Sequence, residues 1–202
     1  MCWQNFVLAL VLLCLWGFQN EGAQACTCLP MHPQQVFCKA DVLVIKAKVV
    51  GVTPGTHVEG TLAKYDIKQR KNFKGTEKLF DAIYTAPSSS ACGVTLTKGT
   101  EYLLMVRLQS DGSLRISLCD FYQPWKTLSV VQKSLFYRYE KGCDCMIKSC
   151  FSFPCCMTTP TECLWTFLPG KMGYDEQAQN FACIKKNDIC FWYKAAFVPL
   201  RG

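Results

Sequence analysis

The stretch "GAQACTCLPMHPQQVFC", residues 22–38, decides how the rest of the chain is read. It sets a Cys-Thr-Cys triplet directly behind Ala23-Gln24-Ala25. Upstream, residues 6–16 read "FVLALVLLCLW", eleven apolar residues in a row. A bilayer span needs roughly 20 such residues, so no membrane span is expected here. The run fits the apolar centre of a secretory signal, and Ala-Gln-Ala fits its cleavage site. No Lys or Arg precedes the run, so only the Met1 amine supplies positive charge there. The expectation is a signal peptide over residues 1–25 and a working protein that begins at Cys26.

Cleavage after Ala25 leaves 177 of the 202 residues. Cys2 and Cys14 leave with the leader, so 13 of the 15 cysteines remain. A secreted chain this rich in cysteine is most simply held by disulfides, and an odd count leaves at least one thiol over. The leader carries only Glu21 as a charge, so the formal net charge rises from +7 to +8 on cleavage. That balance suits acidic partners such as sulfated glycosaminoglycans of the extracellular space or matrix. Nucleic acid is not an expected partner of a secreted chain. No N-x-S/T sequon occurs, so N-glycosylation is not expected.

The first part of the mature chain reads as β. In "DVLVIKAKVVGV" (41–52), Ile45, Ala47 and Val49 alternate with Lys46 and Lys48. In "LAKYDIKQR" (62–70), Ala63, Tyr65 and Ile67 alternate with Lys64, Asp66 and Lys68. This is the period of two of half-buried strands. "EYLLMVRLQSDGSLRISLC" (101–119) predicts a hairpin turning at Asp111-Gly112. Short strands separated by turn signals imply a small barrel or sandwich.

Two helices are expected beside them. Leu128, Val131, Leu135 and Tyr139 recur at helical spacing within residues 124–142, with Gly142 as a stop. Pro33 suits a first helical position for a short helix running to Cys38. From Cys143 the texture changes, with eight cysteines in 48 residues and little periodicity. A loop-rich, disulfide-stapled unit is expected there, with the boundary near Cys143–Asp144.

Intrinsic chemistry is poorly supported. The pairs Cys143-x-Cys145 and Cys150 with Cys155 or Cys156 lack C-x₂-C spacing, and an oxidising compartment removes thiolates from zinc. No metal or cofactor of the chain's own is expected. The two histidines, His32 and His57, belong to no G-x-S-x-G, H-E-x-x-H or phosphate-loop motif, and surface or packing roles account for them. Cys156 is the candidate spare thiol, but no base stands near it in sequence, so an enzyme is not expected.

The new amino terminus is different. The α-amine of Cys26 titrates near pH 8, so part of it is neutral at pH 7 and has a lone pair to donate. That nitrogen and the carbonyl oxygen of the same residue can chelate one metal ion. A catalytic zinc in another protein offers the matching half, with three protein ligands and an open position. Occupying it displaces the water that metal-assisted hydrolysis requires. In an extended segment Cys26 and Cys28 point one way and Thr27 the other. If both cysteines are tied back by disulfides, Thr27 projects from a fixed ridge. Spacing alone leaves this reading level with the plainer one, in which C-x-C merely staples the terminus.

The residues also resemble a known family. "CTCLPMHPQQVFC", "IKAKVVG", "YDIKQRKNFKG", "SSSACGV", "LCDFYQPW", "GCDC", "ECLW", "ACI" and "CFWYK" are similar to the tissue inhibitors of metalloproteinases, from Cys26 to about Lys194. The resemblance implies a mainly β fold with helices (α+β). An OB-type, five-stranded, netrin-like β-barrel would span 26–143, and a small disulfide-rich C-terminal subdomain 144–202. It implies the pairs Cys26–Cys92, Cys28–Cys119, Cys38–Cys143, Cys145–Cys190, Cys150–Cys155 and Cys163–Cys183. Cys156 is then left over, with a swap against Cys155 open.

The same resemblance implies a secreted inhibitor of matrix metalloproteinases and related zinc endopeptidases, acting as a monomer in 1:1 complexes. Cys26 would bind the partner's zinc through amine and carbonyl. Thr27 would enter the primary specificity pocket, Cys28, Leu29 and Pro30 would continue along the cleft, and Ser89, Ser90 and Ala91 would form a second contact strip. The segment 51–61 is the loop that in some relatives reaches the protease rim.

The match departs at the short Cys183–Cys190 interval, at Lys194-Ala195-Ala196 and in the acid-free tail "FVPLRG". Proenzyme binding through the C-terminal half, known for some relatives, is therefore not expected. Lys64, Lys68, Arg70, Lys71, Lys74 and Lys78 form a basic run that reads either as a solvated strand face or as a matrix-glycan site. The alternative function is a netrin-like glycan- or receptor-binding module that blocks no protease. A free Cys26 amine separates the two, since only inhibition requires it.

Overall fold

The computed structural model describes residues 26–56, 58–151, 154–166 and 173–195. The leader with Ala23-Gln24-Ala25, His57 and the "FVPLRG" tail lie outside the described residues. In chain order the elements are α1 (Pro33–Phe37), β1 (Val42–Thr53), β2 (Ala63–Lys74), β3 (Ala82–Thr85), β4 (Glu101–Leu108), β5 (Leu114–Arg115), β6 (Tyr122–Pro124), α2 (Val130–Leu135), β7 (Met146–Cys150), β8 (Glu162–Thr166), α3 (Gly173–Asn180), β9 (Phe181–Lys186) and β10 (Ile189–Lys194).

Strands β1, β2, β3, β5 and β4 pair in that order, and β4 returns to β1 to close a five-stranded barrel. Only β3–β5 is parallel within it, and β6 adds to the free edge of β4. This is an OB-type barrel, and closure leaves no long exposed edge. β1 is long enough to pair with both β2 and β4. Three register shifts against β2, at Val44/Ile45, Lys46/Ala47 and Val49/Gly51, give the bend that closure needs.

The alternation read from the sequence sorts the two faces. Leu43, Ile45, Ala47 and Val49 of β1 fill the barrel with Tyr65, Ile67, Ile83, Leu104, Val106, Leu114 and Ile116. Val42 and Val44 face outward instead. There they pack with Leu103 and Met105 of β4, Val36 and Phe37 of α1, and Leu128, Leu135, Phe136 and Tyr139. Ala182 and Ala195 of the C-terminal half belong to that same outer cluster. The two halves therefore share an apolar core.

Two expectations are corrected. The helix foreseen over 124–142 is broken into a 3₁₀ turn (Trp125–Thr127), α2, and a second 3₁₀ turn (Tyr139–Gly142). Leu128 is extended, with ψ 131°, and Ser129 starts a new helix through a capping box with Gln132. Leu128, Leu135 and Tyr139 are buried all the same, because the broken path still turns them to one side.

The C-terminal half is also more regular than its texture suggested. It holds a parallel pair β7–β8 and an antiparallel hairpin β9–β10. A small core of Ile147, Trp165 and the sulfurs of Cys163, Cys183 and Cys190 lies between them. Strands this short carry too few repeats for periodicity to show. Gly142 sits where the halves touch. A Cβ there would meet the Cys183 carbonyl oxygen and the Gln34 side-chain nitrogen.

Candidate functional site

Residues 26–30 form no regular element and run across the surface as a ridge. Cys26, Cys28 and Pro30 are half-buried, whereas Thr27 is exposed and Leu29 is 83 % exposed. The alternation of an extended segment thus sends cysteines inward and Thr27 and Leu29 outward. Cys26 is bonded to Cys92 and Cys28 to Cys119, with Cα–Cα distances of 5.1 and 5.2 Å. These bonds close loops with sequence separations of 66 and 91 residues. Loops of that length restrict the unfolded chain by about 4–5 kcal/mol each in the chain-entropy account.

The other four disulfides are Cys38–Cys143, Cys145–Cys190, Cys150–Cys155 and Cys163–Cys183. All six pairs are those that the family resemblance implies. Cys156 is exposed and unpaired. Two groups of sulfurs crowd together, Cys26/Cys28/Cys119 and Cys145/Cys183/Cys190. Every one of those atoms is in a disulfide and offers no thiolate to a metal.

The second strip lies beside the ridge. Ser89, Ser90 and Ala91 form one exposed 3₁₀ turn that ends at Cys92, where φ is +66°. The Gly93 amide donates to the Ser88 carbonyl oxygen at 2.7 Å, folding the turn back on itself. A Cβ on Gly93 would run into the Ala86 carbonyl oxygen, so this tight return needs glycine. The Leu118 amide donates to the Cys92 carbonyl oxygen at 2.9 Å. Segment 116–120 therefore carries both anchors of the ridge.

That segment is itself held by Asp120. Its Oδ1 accepts from Arg107 Nε at 3.1 Å and Nη2 at 2.8 Å. Its Oδ2 accepts from the Ser117 amide and hydroxyl, both at 2.9 Å. The Asp120 side chain is 1 % exposed, so this is a buried, fully hydrogen-bonded carboxylate. The loop after β1 is compact: the Thr61 amide donates to the Thr56 carbonyl oxygen, and the Thr56 amide to the Thr61 hydroxyl.

Behind the ridge the chain dives inward. His32 caps α1 and is fully buried. Its Nδ1 accepts the Gln34 amide at 3.2 Å, which leaves the proton on Nε2 to donate to the Gln177 carbonyl oxygen at 3.2 Å. Trp165 and Trp192 pack against the ring at 5.6 and 5.1 Å. Burial holds this imidazole well below its ordinary range, at about 4, so it is neutral at physiological pH.

Gln34 is buried as well. Its Nε2 donates to the carbonyls of Tyr139 (3.0 Å) and Cys183 (2.6 Å), and its Oε1 accepts the Cys183 amide at 2.7 Å. Gln35 Nε2 donates to the Ile147 carbonyl oxygen at 3.0 Å. Three polar side chains within four residues, His32, Gln34 and Gln35, thus bolt α1 to the C-terminal half. The sequence left His32 between a surface and a packing role and marked neither glutamine; the structure gives the packing role. Polar residues in a helix only five residues long give no periodic signal of burial.

The sequence that builds the ridge, its staples and the strip is similar to known proteins. The family model described as "Tissue inhibitor of metalloproteinase" matches residues 24–192. "Metalloproteinase inhibitor 2" of Cavia porcellus is 49 % identical over 203 residues, covering 95 % of this chain and 91 % of the relative. The Homo sapiens protein of that name is also 49 % identical with the same coverage. The Gallus gallus protein is 44 % identical, covering 96 % and 92 %. This chain belongs to the tissue inhibitor of metalloproteinase family.

Proposed function

We propose that the mature protein, beginning at Cys26, is a secreted inhibitor of zinc metalloendopeptidases that blocks the enzyme's metal directly. The observation that carries this reading is the ridge. Two disulfide-tied cysteines alternate with exposed Thr27 and Leu29 at the point where the family's working terminus lies. The relatives' printed name, metalloproteinase inhibitor, supports the same class of partner.

The chemistry follows from the terminus. The neutral fraction of the Cys26 amine and its own carbonyl oxygen chelate the partner's zinc and displace the hydrolytic water. The carbonyl on the metal is that of the Cys26–Thr27 peptide bond, but with the zinc-bound water displaced nothing is left to attack it, so the terminus binds without being cut. Thr27 enters the side-chain pocket next to the zinc, Cys28 to Pro30 lie along the cleft, and Ser89–Ala91 make the parallel contact. Nanomolar affinity requires about 12 kcal/mol. Ordering a free segment costs about 0.5–1.5 kcal/mol per side chain, and the staples meet that cost during folding instead of binding. The unit that inhibits is residues 26–143, and one copy engages one enzyme.

N-terminal analysis of the secreted product, paired with inhibition of a matrix metalloproteinase catalytic domain, tests this. A free Cys26 terminus with tight inhibition is expected. Adding one Ala before Cys26 should weaken inhibition at least about 1,000-fold, the scale of a lost metal chelate, with the fold intact. Full potency in that variant would contradict the reading.

A second reading concerns sulfated glycosaminoglycans, and strand register supports it. Lys46 stands opposite Lys71 and Lys48 opposite Lys68 across β1–β2. Lys46 is already paired with Glu101 at 3.1 Å and Lys71 donates to the Tyr137 hydroxyl at 2.6 Å. The directly opposed Lys48 and Lys68 have no acidic partner among the described ion pairs, a repulsion that a polyanion would relieve. Lys64 is partnered by Asp66 at 2.8 Å, and Lys74 donates to the Phe37 carbonyl at 2.6 Å, so both are already engaged. Elution from immobilised heparin should fall to lower salt in a Lys68→Gln/Lys71→Gln variant. Unchanged elution removes the reading.

A further inference from the structure

A cleft of about 290 Å³ opens on the barrel wall behind the ridge, lined among others by Thr85, Arg107, Arg115, Ser117 and Asp120. That is several times the roughly 30 Å³ a water molecule occupies in the liquid. Its charge is unbalanced. Arg107 and Arg115 stand directly opposite each other across β4 and β5, so both guanidinium groups lie on one face. Two like charges in that relation repel. Asp120 is the carboxylate in the wall, and both its oxygens are already committed to Arg107 and Ser117. Asp111 lies near Arg115 but is solvent-exposed and bonded to the Ser113 amide at 2.8 Å. Arg115 Nε is shut off from solvent and has no acceptor among the described residues. A buried donor without an acceptor is unfavourable, and a guanidinium satisfies it best with a carboxylate, sulfate or phosphate oxygen.

We infer that this cleft binds a small oxyanion, held by Arg115 beside the Arg107–Asp120 ion pair. The site lies at the far end of β4 from Glu101 and its β1 partner Lys48, about 20 Å away at strand rise, so it is distinct from the basic β1–β2 surface. Ser117 and Asp120 flank Cys119, which anchors the ridge through Cys28. An anion here therefore sits in the wall that supports the amino terminus. The oxyanion has two sources, a free anion or an acidic side chain of an enzyme bound at the ridge.

The test uses the mature, disulfide-intact chain without any protease. Inorganic sulfate and acetate are titrated against chloride at constant ionic strength while backbone amide resonances are followed. Saturable shifts at residues 115–120 are expected. They should weaken about 10-fold or more in Arg115→Gln and persist in part in Arg115→Lys, which keeps charge but loses the fork. The inhibition constant of Arg115→Gln then assigns the source. A rise of about 10-fold points to an acidic side chain of the enzyme, and no change points to a free anion. Shifts no larger than those in chloride for both probes, with an unchanged inhibition constant, overturn the site. Arg107 is left intact, because removing it would strand the buried Asp120.

Discussion

Residues 26–30 and residues 31–37 are neighbours in the chain and opposites in environment. The first five lie across the surface, with Leu29 83 % exposed. In the next seven, His32, Pro33, Gln34, Val36 and Phe37 are buried. Disulfides to the barrel hold the first set. Hydrogen bonds to Tyr139, Ile147, Gln177 and Cys183 hold the second. An exposed segment is ordinarily mobile because few contacts oppose its entropy. Here one end of the ridge is bolted into the shared core and two of its side chains are covalent anchors. Exposure and covalent anchoring are thereby combined in one segment.

The largest way to break that contrast is to free the ridge. Replacing Cys28 and Cys119 together by Ser removes a cross-link whose partners are 91 residues apart. Stability should fall by about 4 kcal/mol in urea unfolding, and inhibition should weaken even where the fold persists. Unchanged potency would mean that the staple does not set the ridge.

The next largest is to cut the bolt behind it. Gln34→Ala leaves the Cys183 amide and two buried carbonyls without their partner. A loss of about 3 kcal/mol is expected, with the C-terminal half losing amide-exchange protection first. A loss below about 1 kcal/mol would show the halves held by their shared apolar cluster alone.

Acid probes the same seam without a mutation. The folded imidazole of His32 titrates at about 4, below the 6.5 of an unfolded histidine. Between those values the unfolded chain binds more protons, so stability is fully present above about pH 6.5 and is lost as pH falls toward 4. The group facing the ring that can bond its proton is the Gln177 carbonyl, and no carboxylate pairs with it among the described hydrogen bonds. Going from pH 7.5 to 5 should remove about 2 kcal/mol. The difference between wild type and His32→Gln isolates this share from other titrations. Parallel pH profiles would contradict it.

The smallest effect on stability belongs to the ridge surface itself. Leu29→Ala should change unfolding by less than about 0.5 kcal/mol, because the side chain meets little of the fold. Inhibition should weaken about 5- to 10-fold as apolar burial in the complex is lost. A large stability loss with unchanged inhibition would invert the roles assigned to the two segments.

The barrel was legible because its strands keep period two over many residues. Ile45, Ala47 and Val49 read as inward, and they are. β3 and β5, four and two residues long, are too short for any pattern to repeat. Residues 124–142 misled for the opposite reason. Their apolar spacing is helical, yet the chain is extended at Leu128 and restarts at the Ser129 cap. Periodicity reports which side chains share a face, and backbone continuity is a separate matter.

At the site, Cys26 and Thr27 stood out by position and by residue type. The supports did not. Gln34, Arg107 and Asp120 act through partners 149, 13 and 13 residues away, and nothing local marks such pairings. The register that sets Arg107 against Arg115 likewise exists only once β4 and β5 are aligned.

The account rests on a metal contact, and a crystal structure of the mature protein bound to a metalloproteinase catalytic domain measures it. The Cys26 nitrogen and carbonyl oxygen should each lie about 2.0–2.2 Å from the zinc, with no water left in its open position and the Thr27 side chain in the adjoining pocket. A zinc that keeps its water while Cys26 points away from it would contradict the account.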